Sequence, residues 1–279
     1  MTNTNTRDAG AELLAVARAA ALEVGDLVRE GFGAVGRVSF KRDFHDVVTE
    51  YDKRSEEVIA DILLSEVPGS TVCGEEGGIL AGDAHPTVES AITWYVDPID
   101  GTGNFARGLP FCCVSIGAVQ AGELVAGIVY DPLRREEFTA ADGRAFCNGE
   151  PMASRAAETD ADSVLVTGFP KPRAWAPDGR PDAERFTEMV RRFRSVRRIG
   201  SSALTLAYVA AGRIDVALGV GTSPWDVAAG SLLVENAGGT YIPLRFDGND
   251  AAAWDVDCQL AFGRGFVLEQ SCLADLIGR

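Results

Sequence analysis

The sequence predicts a layered α/β fold, an α+β stack in which helices and sheets alternate, and three observations predict it. Residues 8–30 space Leu13, Val16, Ala17, Ala20, Val24, Leu27 and Val28 along one face of an amphipathic helix. Residues 110–143 alternate apolar and polar positions between turn signals at Ala121-Gly122 and Asp131-Pro132, the pattern of an antiparallel meander. From Ser163 onward, strand-like and helix-like segments alternate, which implies helices laid on a sheet.

The elements follow in order. One helix is expected over residues 8–30, with Gly31 and Gly33 as stop signals. Residues 37–69 read as a short strand or hairpin, a polar turn, and a second helix that starts near Asp52 and ends before Pro68. TVCGEEGGI, residues 71–79, reads as a short strand running into two glutamates bracketed by glycines, and residues 80–91 as a polar loop. The apolar run ITWYV before Asp97 reads as a buried strand, and the meander follows it. A composition shift over residues 145–163 divides the chain into an N-terminal half, 1–145, and a C-terminal half, 146–279. In the second half SVLVTGF, SVRRIG, RIDVALGV, TYIPL and QLAFGRG read as strands. Residues 182–194, SSALTLAYVAAG, WDVAAGSLLVENAGG and a short C-terminal segment read as helices.

Composition limits the function classes. With 279 residues and 46% hydrophobic content, the chain can bury a large core in one big domain or two closely packed halves. A formal net charge of −15 argues against a nucleic-acid polymer or an anionic membrane as partner, because either is repelled at long range. Phosphate binding in such a chain needs cations to reverse the local sign, and clustered aspartates with Mg²⁺ do that. Six cysteines without a CxxC pair, together with a start that lacks the pattern of a secretory leader, lead us to expect reduced thiols and a cytoplasmic location. His45 and His85 are the two histidines, too few for a histidine-based zinc site. Residues 171–198 hold nine Lys or Arg against four acids, which reads first as a solvated helix face.

The chemistry concentrates in ITWYVDPIDGTGNF, residues 92–105. Asp97 and Asp100 sit three apart around Pro98, so the strand breaks where the second carboxylate turns toward the first. Gly101 and Gly103 allow close backbone approach to a ligand, and Thr102 adds a hydroxyl where a helix can begin. Gly200-Ser201-Ser202 and Pro224-Trp225-Asp226 repeat that design, a strand end or loop running into a helix N-terminus. Taken singly, Asp46, Asp52 and Asp226 read first as helix caps, and Glu75 and Glu76 as solvated loop residues. Together they suggest a shared phosphate and metal centre.

DPIDGTGNF at 97–105 and WDVAAG at 225–230, with GEE at 74–76 and DVVTEYD at 46–52, resemble the inositol monophosphatase family of lithium-sensitive, Mg²⁺-dependent phosphatases. The resemblance spans nearly the whole chain and implies that family's alternating αβαβα sandwich and a homodimer. It implies that Glu75, Asp97, Asp100, Asp226 and the Ile99 carbonyl ligate two or three Mg²⁺ ions, a set of hard oxygen donors. It assigns Glu75 and Thr102 to activating the attacking water, Asp46 and Asp52 to supporting Thr102, and Lys41 to a loop near a weaker third metal site. It places the substrate against Asp100, Gly101, Thr102, Gly200, Ser201, Ser202 and Asp226. The implied reaction is hydrolysis of a small phosphorylated alcohol by direct attack of water, without a phosphoenzyme.

Two positions depart from the family pattern. Gly219 stands where inositol-specific members carry a glutamate that holds inositol hydroxyls, and Gly103 replaces a threonine or lysine. The alcohol is therefore left open among inositol phosphate, other polyol or sugar phosphates, 3′(2′)-nucleotides and histidinol phosphate, and selectivity is expected around residues 200–221. A catalytically silent metal-binding relative is the alternative of another class.

Overall fold

In the computed structural model the described residues are 5–34, 39–40, 47–81, 91–171, 181–245 and 252–276. The expected first helix is two: α1 spans Asn5–Glu23 and α2 spans Gly25–Gly31, separated by a turn at Val24. Gly25 is a weak helix former and lies against the Tyr130 ring, whose Cε1 would sit 2.9 Å from a Cβ at that position. Strands β1 (Ser39–Phe40) and β2 (Val47–Val48) pair antiparallel ahead of α3 (Glu50–Glu66), whose first turn is closed by a capping box between Thr49 and Asp52.

The first sheet begins with β3 (Thr71–Gly74) and β4 (Gly78–Ala81), a hairpin whose second strand takes up residues expected as loop. It continues with β5 (Ile92–Asp100), and the short helix α4 (Thr102–Arg107) follows. The meander is β6 (Cys113–Gln120), β7 (Glu123–Asp131), β8 (Glu136–Ala141), β9 (Arg144–Cys147) and β10 (Glu150–Pro151), all paired antiparallel in sequence order. The sheet order is β10-β9-β8-β7-β6-β5-β3-β4, with β3 parallel to β5. This sheet therefore runs through Pro151, inside the composition shift and a few residues past the expected division at 145.

The second sheet is mixed. It is built from β11 (Val164–Thr167), β12 (Ser195–Arg197) after helix α5 (Asp182–Arg192), β13 (Val216–Val220) after α6 (Ser202–Ala210), β14 (Thr240–Pro243) after α7 (Pro224–Asn236), and β15 (Cys258–Phe262). Strands β12, β11 and β13 run parallel, and β15 lies antiparallel between β13 and β14. In place of the expected short helix, the described C-terminal segment forms two 3₁₀ turns, Leu268–Gln270 and Ala274–Leu276.

Three apolar clusters define the layers. Leu13, Ala17 and Val28 of α1 and α2, with Ile59 and Leu63 of α3, pack on Val72, Trp94, Val96, Ile116 and Ile128 on one face of the first sheet. Leu204, Leu206, Val209, Val227 and Leu233 of α6 and α7 fill the space between Val129 and Phe138 of the first sheet and Ala217, Tyr241 and Ala261 of the second. Met189 of α5, Phe193 and Phe266 cover the outer face of the second sheet on Leu165, Val216, Leu218 and Leu260. The stack is helix, sheet, helix, sheet, helix. Alternation along β13 follows from strand geometry: Val216, Leu218 and Val220 point outward, and Ala217 and Gly219 point toward the central helices.

Small residues set how closely α7 approaches the first sheet. A Cβ on Gly117 would lie 2.9 Å from Ala228 Cβ, and one on Gly127 would lie 3.0 Å from Ala229 Cα. This contact is what Ala228 and Ala229 of WDVAAG provide, and it draws the start of α7, with Asp226, toward the end of β5.

Candidate active site

The centre lies where β5 ends. Its pairing with β6 shifts register between Asp97 and Asp100, because Pro98 cannot donate to the ladder. The Ile99 N–H donates to Asp97 Oδ1 at 3.0 Å and closes the turn that brings the two carboxylates together. Gly101 then adopts a φ of +90° and caps α4. Nothing larger fits there: a Cβ would lie 2.9 Å from the Phe111 carbonyl oxygen and 3.0 Å from that of Gly200.

Each carboxylate is held by a different element. Asp100 Oδ2 accepts from the Ser201 hydroxyl at 2.5 Å and from the Ala203 N–H at 2.7 Å, at the N-terminus of α6. Asp226 occupies the third position of α7, and its Oδ2 accepts from the Ser223 N–H at 2.7 Å in a capping box. The Ser115 hydroxyl donates to the Trp225 carbonyl at 3.1 Å and ties that helix end to β6. One oxygen from each of Asp97, Asp100 and Asp226 lies within 4.8 Å of the others.

Glu75 joins them through the parallel ladder. Gly74 pairs with Val96, and the Glu75 N–H donates to the Val96 carbonyl at 3.2 Å, which sets Glu75 beside Asp97. It lies outside the tight group of three but lines the same cavity, and its charge acts on Asp52, Asp97, Asp100 and Asp226.

Thr102 lies on the other side of the cluster. Its hydroxyl lies 2.9 Å from Asp52 Oδ1 and 3.0 Å from the Ile99 carbonyl oxygen, and both are acceptors. Asp52 Oδ2 accepts from the Thr49 N–H at 2.9 Å and from the Thr49 hydroxyl. Asp52 is therefore both the helix cap that the isolated residue suggested and the partner of Thr102.

Burial raises the carboxyls of Asp52, Asp97, Asp100 and Asp226. Asp97 is pushed well above the usual range by desolvation, then by the charges of Glu75, Asp100 and Asp226. Burial lifts Asp100 to about 6 against the hydrogen bonds from Ser201, Ala203 and Ser202. Burial and the charge of Asp100 lift Asp226 to about 8 against its bond from Ser223. Asp52 is raised by burial and lowered again by its threonine partners. Such crowding is unfavourable without a cation, and the donors converging here are all oxygen, the set that suits Mg²⁺.

A cavity of about 420 Å³ opens over the cluster and is lined from both halves of the chain, by Glu75, Asp100, Gly101 and Thr102 and by Gly200, Ser201, Ser202 and Asp226. Asn104 joins the two sides, its amide donating to the Phe111 carbonyl at 2.8 Å and the Ile199 carbonyl at 2.6 Å. Asp46 and Lys41 lie outside the described residues.

A scan of protein families matches residues 10–271 to the inositol monophosphatase family. The chain belongs to that family. It is 37% identical over 229 residues to Nus factor SuhB of Pseudomonas aeruginosa, covering 81% of this chain and 83% of that one. It is 38% identical over 233 residues to inositol monophosphatase 1 of Solanum lycopersicum, covering 82% and 83%. The crystal structure of the suhB protein of Bartonella henselae superposes with a TM-score of 0.79 at 32% identity, over 90% of this chain and 93% of that one. Dependence on Mg²⁺ is general to the family, and the fold is the family's layered sandwich.

Three site residues carry no motif. Glu56 is buried one helical turn beyond Asp52. Its carboxylate accepts from the Glu76 N–H at 2.8 Å and from the Gly77 N–H, so α3 holds the turn that carries Glu75. The signal was available, since Asp52 and Glu56 continue the buried stripe of Ile59 and Leu63 at helical spacing. Gln259 lines the cavity with no comparable signal, and Lys171, which opens the basic run read as a solvated helix face, lies ahead of that helix and lines the cavity too.

Proposed function

We propose that the chain is a Mg²⁺-dependent phosphomonoesterase that hydrolyses a small phosphorylated alcohol by direct attack of water. One observation carries this reading: three carboxylates lie within 4.8 Å of one another, and two of them, Asp100 and Asp226, line a cavity together with a threonine hydroxyl held by a buried aspartate.

Asp97, Asp100, Asp226 and Glu75, with the Ile99 carbonyl, would hold two or three Mg²⁺ ions, which when bound supply Lewis-acid polarisation of the phosphate and a lowered pKa for water. The protein's own groups do the rest. Asp52 and the Ile99 carbonyl occupy the proton of Thr102, so a lone pair of its hydroxyl accepts a hydrogen bond from the attacking water. Glu75 accepts the other and aims the water at phosphorus. Gly101 admits phosphate close to the backbone, where the first N–H groups of α4 meet its oxygens. Ser201 and Ser202 face the alcohol. Asp46 belongs with Asp52 and Lys41 with a third ion in this reading, and the active site lies between two halves divided near residue 145.

Inositol monophosphate or a related polyol or sugar phosphate is the leading substrate class, and a nucleotide or histidinol phosphate is the alternative. SaIMPase-II, 26–27% identical to this chain, has been crystallised with inositol monophosphate and with 2′AMP, which supports keeping both. Lithium sensitivity, a homodimer and a cytoplasmic location accompany the family reading. A non-catalytic role is the reading of another class, in line with relatives named as a Nus factor. Among the described residues no helix is long and apolar enough to cross a membrane. Phosphate release from a panel of phosphorylated polyols and nucleotides, with and without Mg²⁺, tests the proposal. Mg²⁺-dependent release supports it, and thermal stabilisation by Mg²⁺ without release from any panel member overturns it.

A further inference from the structure

Two glycines at the end of β13 line the cavity, and two side chains from elsewhere stand over them. Gly219 and Gly221 lie two residues apart at the end of β13. Gln259 pairs directly with Gly219 across the β13–β15 ladder and shares its inward face. A Cβ on Gly219 would lie 2.0 Å from Gln259 Nε2, so the amide fills the space a side chain at 219 would need. Over Gly221 stands Lys171, whose Cε would lie 3.9 Å from a Cβ there; from one on Gly168, Cε would lie 3.2 Å and Nζ 3.7 Å. Arg198 fixes the backbone that presents it, donating to the Gly168 carbonyl at 3.1 Å and the Pro170 carbonyl at 2.9 Å.

The amide has a defined polarity. Thr222 donates its hydroxyl to Gln259 Oε1 at 2.9 Å, which leaves Nε2 as the group over Gly219. Gln259 is 2% exposed overall and lines the cavity. With Oε1 taken by Thr222, the N–H₂ is the group that the amide offers to a ligand in the cavity. Lys171 adds a cation on the same wall, close enough to Asp226 for its charge to act there. A carboxylate in this place would accept from neutral hydroxyls, whereas an amide N–H₂ and an ammonium can only donate.

We infer that Gln259 and Lys171 are specificity residues that select a phosphomonoester whose alcohol carries a second anionic oxygen group, a carboxylate or a further phosphate. The inference rests on the phosphatase reading above and deepens it. Charge-assisted hydrogen bonds of this kind are the strong ones, and their loss is measurable against a matched neutral substrate.

Two matched pairs test it: 3-phosphoglycerate against glycerol 3-phosphate, and propane-1,3-diol bisphosphate against its monophosphate. The readout is the ratio of kcat/KM within each pair, with Mg²⁺. The wild-type protein should prefer the anionic member by roughly 10-fold or more in at least one pair, and the pair with the larger ratio identifies the group. Lys171→Met should reduce that preference about 10-fold, and Gln259→Glu should invert it by placing a like charge against the ligand. Lys171 is exposed, so its variant decides the matter even if buried Gln259→Glu does not fold. Hydrolysis with no preference in the wild-type protein, or a preference that neither variant changes, overturns the inference alone. No Mg²⁺-dependent hydrolysis of any of these esters, or of the polyol and nucleotide panel, overturns the phosphatase reading and the inference with it.

Discussion

Thr102 and Asp52 meet at 2.9 Å, hydroxyl to carboxylate, across fifty residues of chain. The other Asp52 oxygen caps α3 through Thr49, so one side chain starts a helix and fixes a hydroxyl beside the carboxylate cluster. The two roles separate by mutation. Thr49→Ala should lower stability by about 0.5–2 kcal/mol, the cost of a lost cap, with kcat/KM changed no more than a few-fold. Asp52→Asn should lower kcat/KM by roughly 10–100-fold. Thermal melts and steady-state kinetics on both variants check this, and equal kinetic losses would assign the pair to the helix cap alone.

Asp97 tests the placement of the centre. Asp97→Asn should reduce turnover by more than about 10²-fold and remove the thermal stabilisation by Mg²⁺. The metal-free variant should melt no lower than the wild-type protein, because the substitution removes a buried charge repelled by Glu75, Asp100 and Asp226. Unchanged activity would mean the centre is misplaced.

Glu56 reaches the cluster through the turn that carries Glu75. In Glu56→Gln one backbone N–H of that turn loses its charged acceptor, and Mg²⁺ affinity should weaken by roughly 10–100-fold. Calorimetric titration of Mg²⁺ reads the effect, and wild-type affinity would show that the turn holds without Glu56.

Stability should depend on pH in a direction set by the raised carboxyls. Asp226 at about 8 and Asp100 at about 6 both exceed the ordinary aspartate value of 3.8. Between those limits the folded, metal-free protein binds protons that the unfolded chain releases. Its stability is therefore greatest at low pH within this window and falls as pH rises from about 4 through about 8. Mg²⁺ replaces those protons, so the rise in Tm on adding Mg²⁺ should be larger at pH 8.5 than at pH 5.5. Melts at both pH values decide it, and an equal rise would count against proton displacement at this cluster.

Gly219 and Gln259 should behave as one unit. Gly219→Glu drives a Cβ to 2.0 Å from the Gln259 amide and should destabilise by about 1–3 kcal/mol through overpacking. Adding Gln259→Ala should recover most of that loss, a coupling that a double-mutant cycle of denaturant melts would measure. Additive losses would mean the amide can move aside.

Local pattern was enough for much of this protein. Spacing of apolar residues located the helices and the meander, because burying one face imposes a period of 3.6 or 2 on the chain itself. The break at Pro98 and the glycines around Thr102 marked the turn, because backbone restriction belongs to single residues. Residue chemistry named Asp97 and Asp100, whereas Glu75 and Asp226, singly a loop residue and a helix cap, were joined to them by the company of the other motifs and the family resemblance. Tertiary structure decided what depends on separate segments meeting in space. The parallel pairing of β3 with β5 sets Glu75 beside Asp97, and the close packing of α7 on Gly117 and Gly127 brings Asp226 to the same place. The start of β4 and the division of the first helix at Val24 were set by strand pairing and by contact near Tyr130. Gln259 stands forty residues beyond the glycine whose space it fills, and only the register of two antiparallel strands makes them neighbours. Charge and hydrogen-bond polarity act through distance in space, and a one-dimensional pattern does not carry that distance.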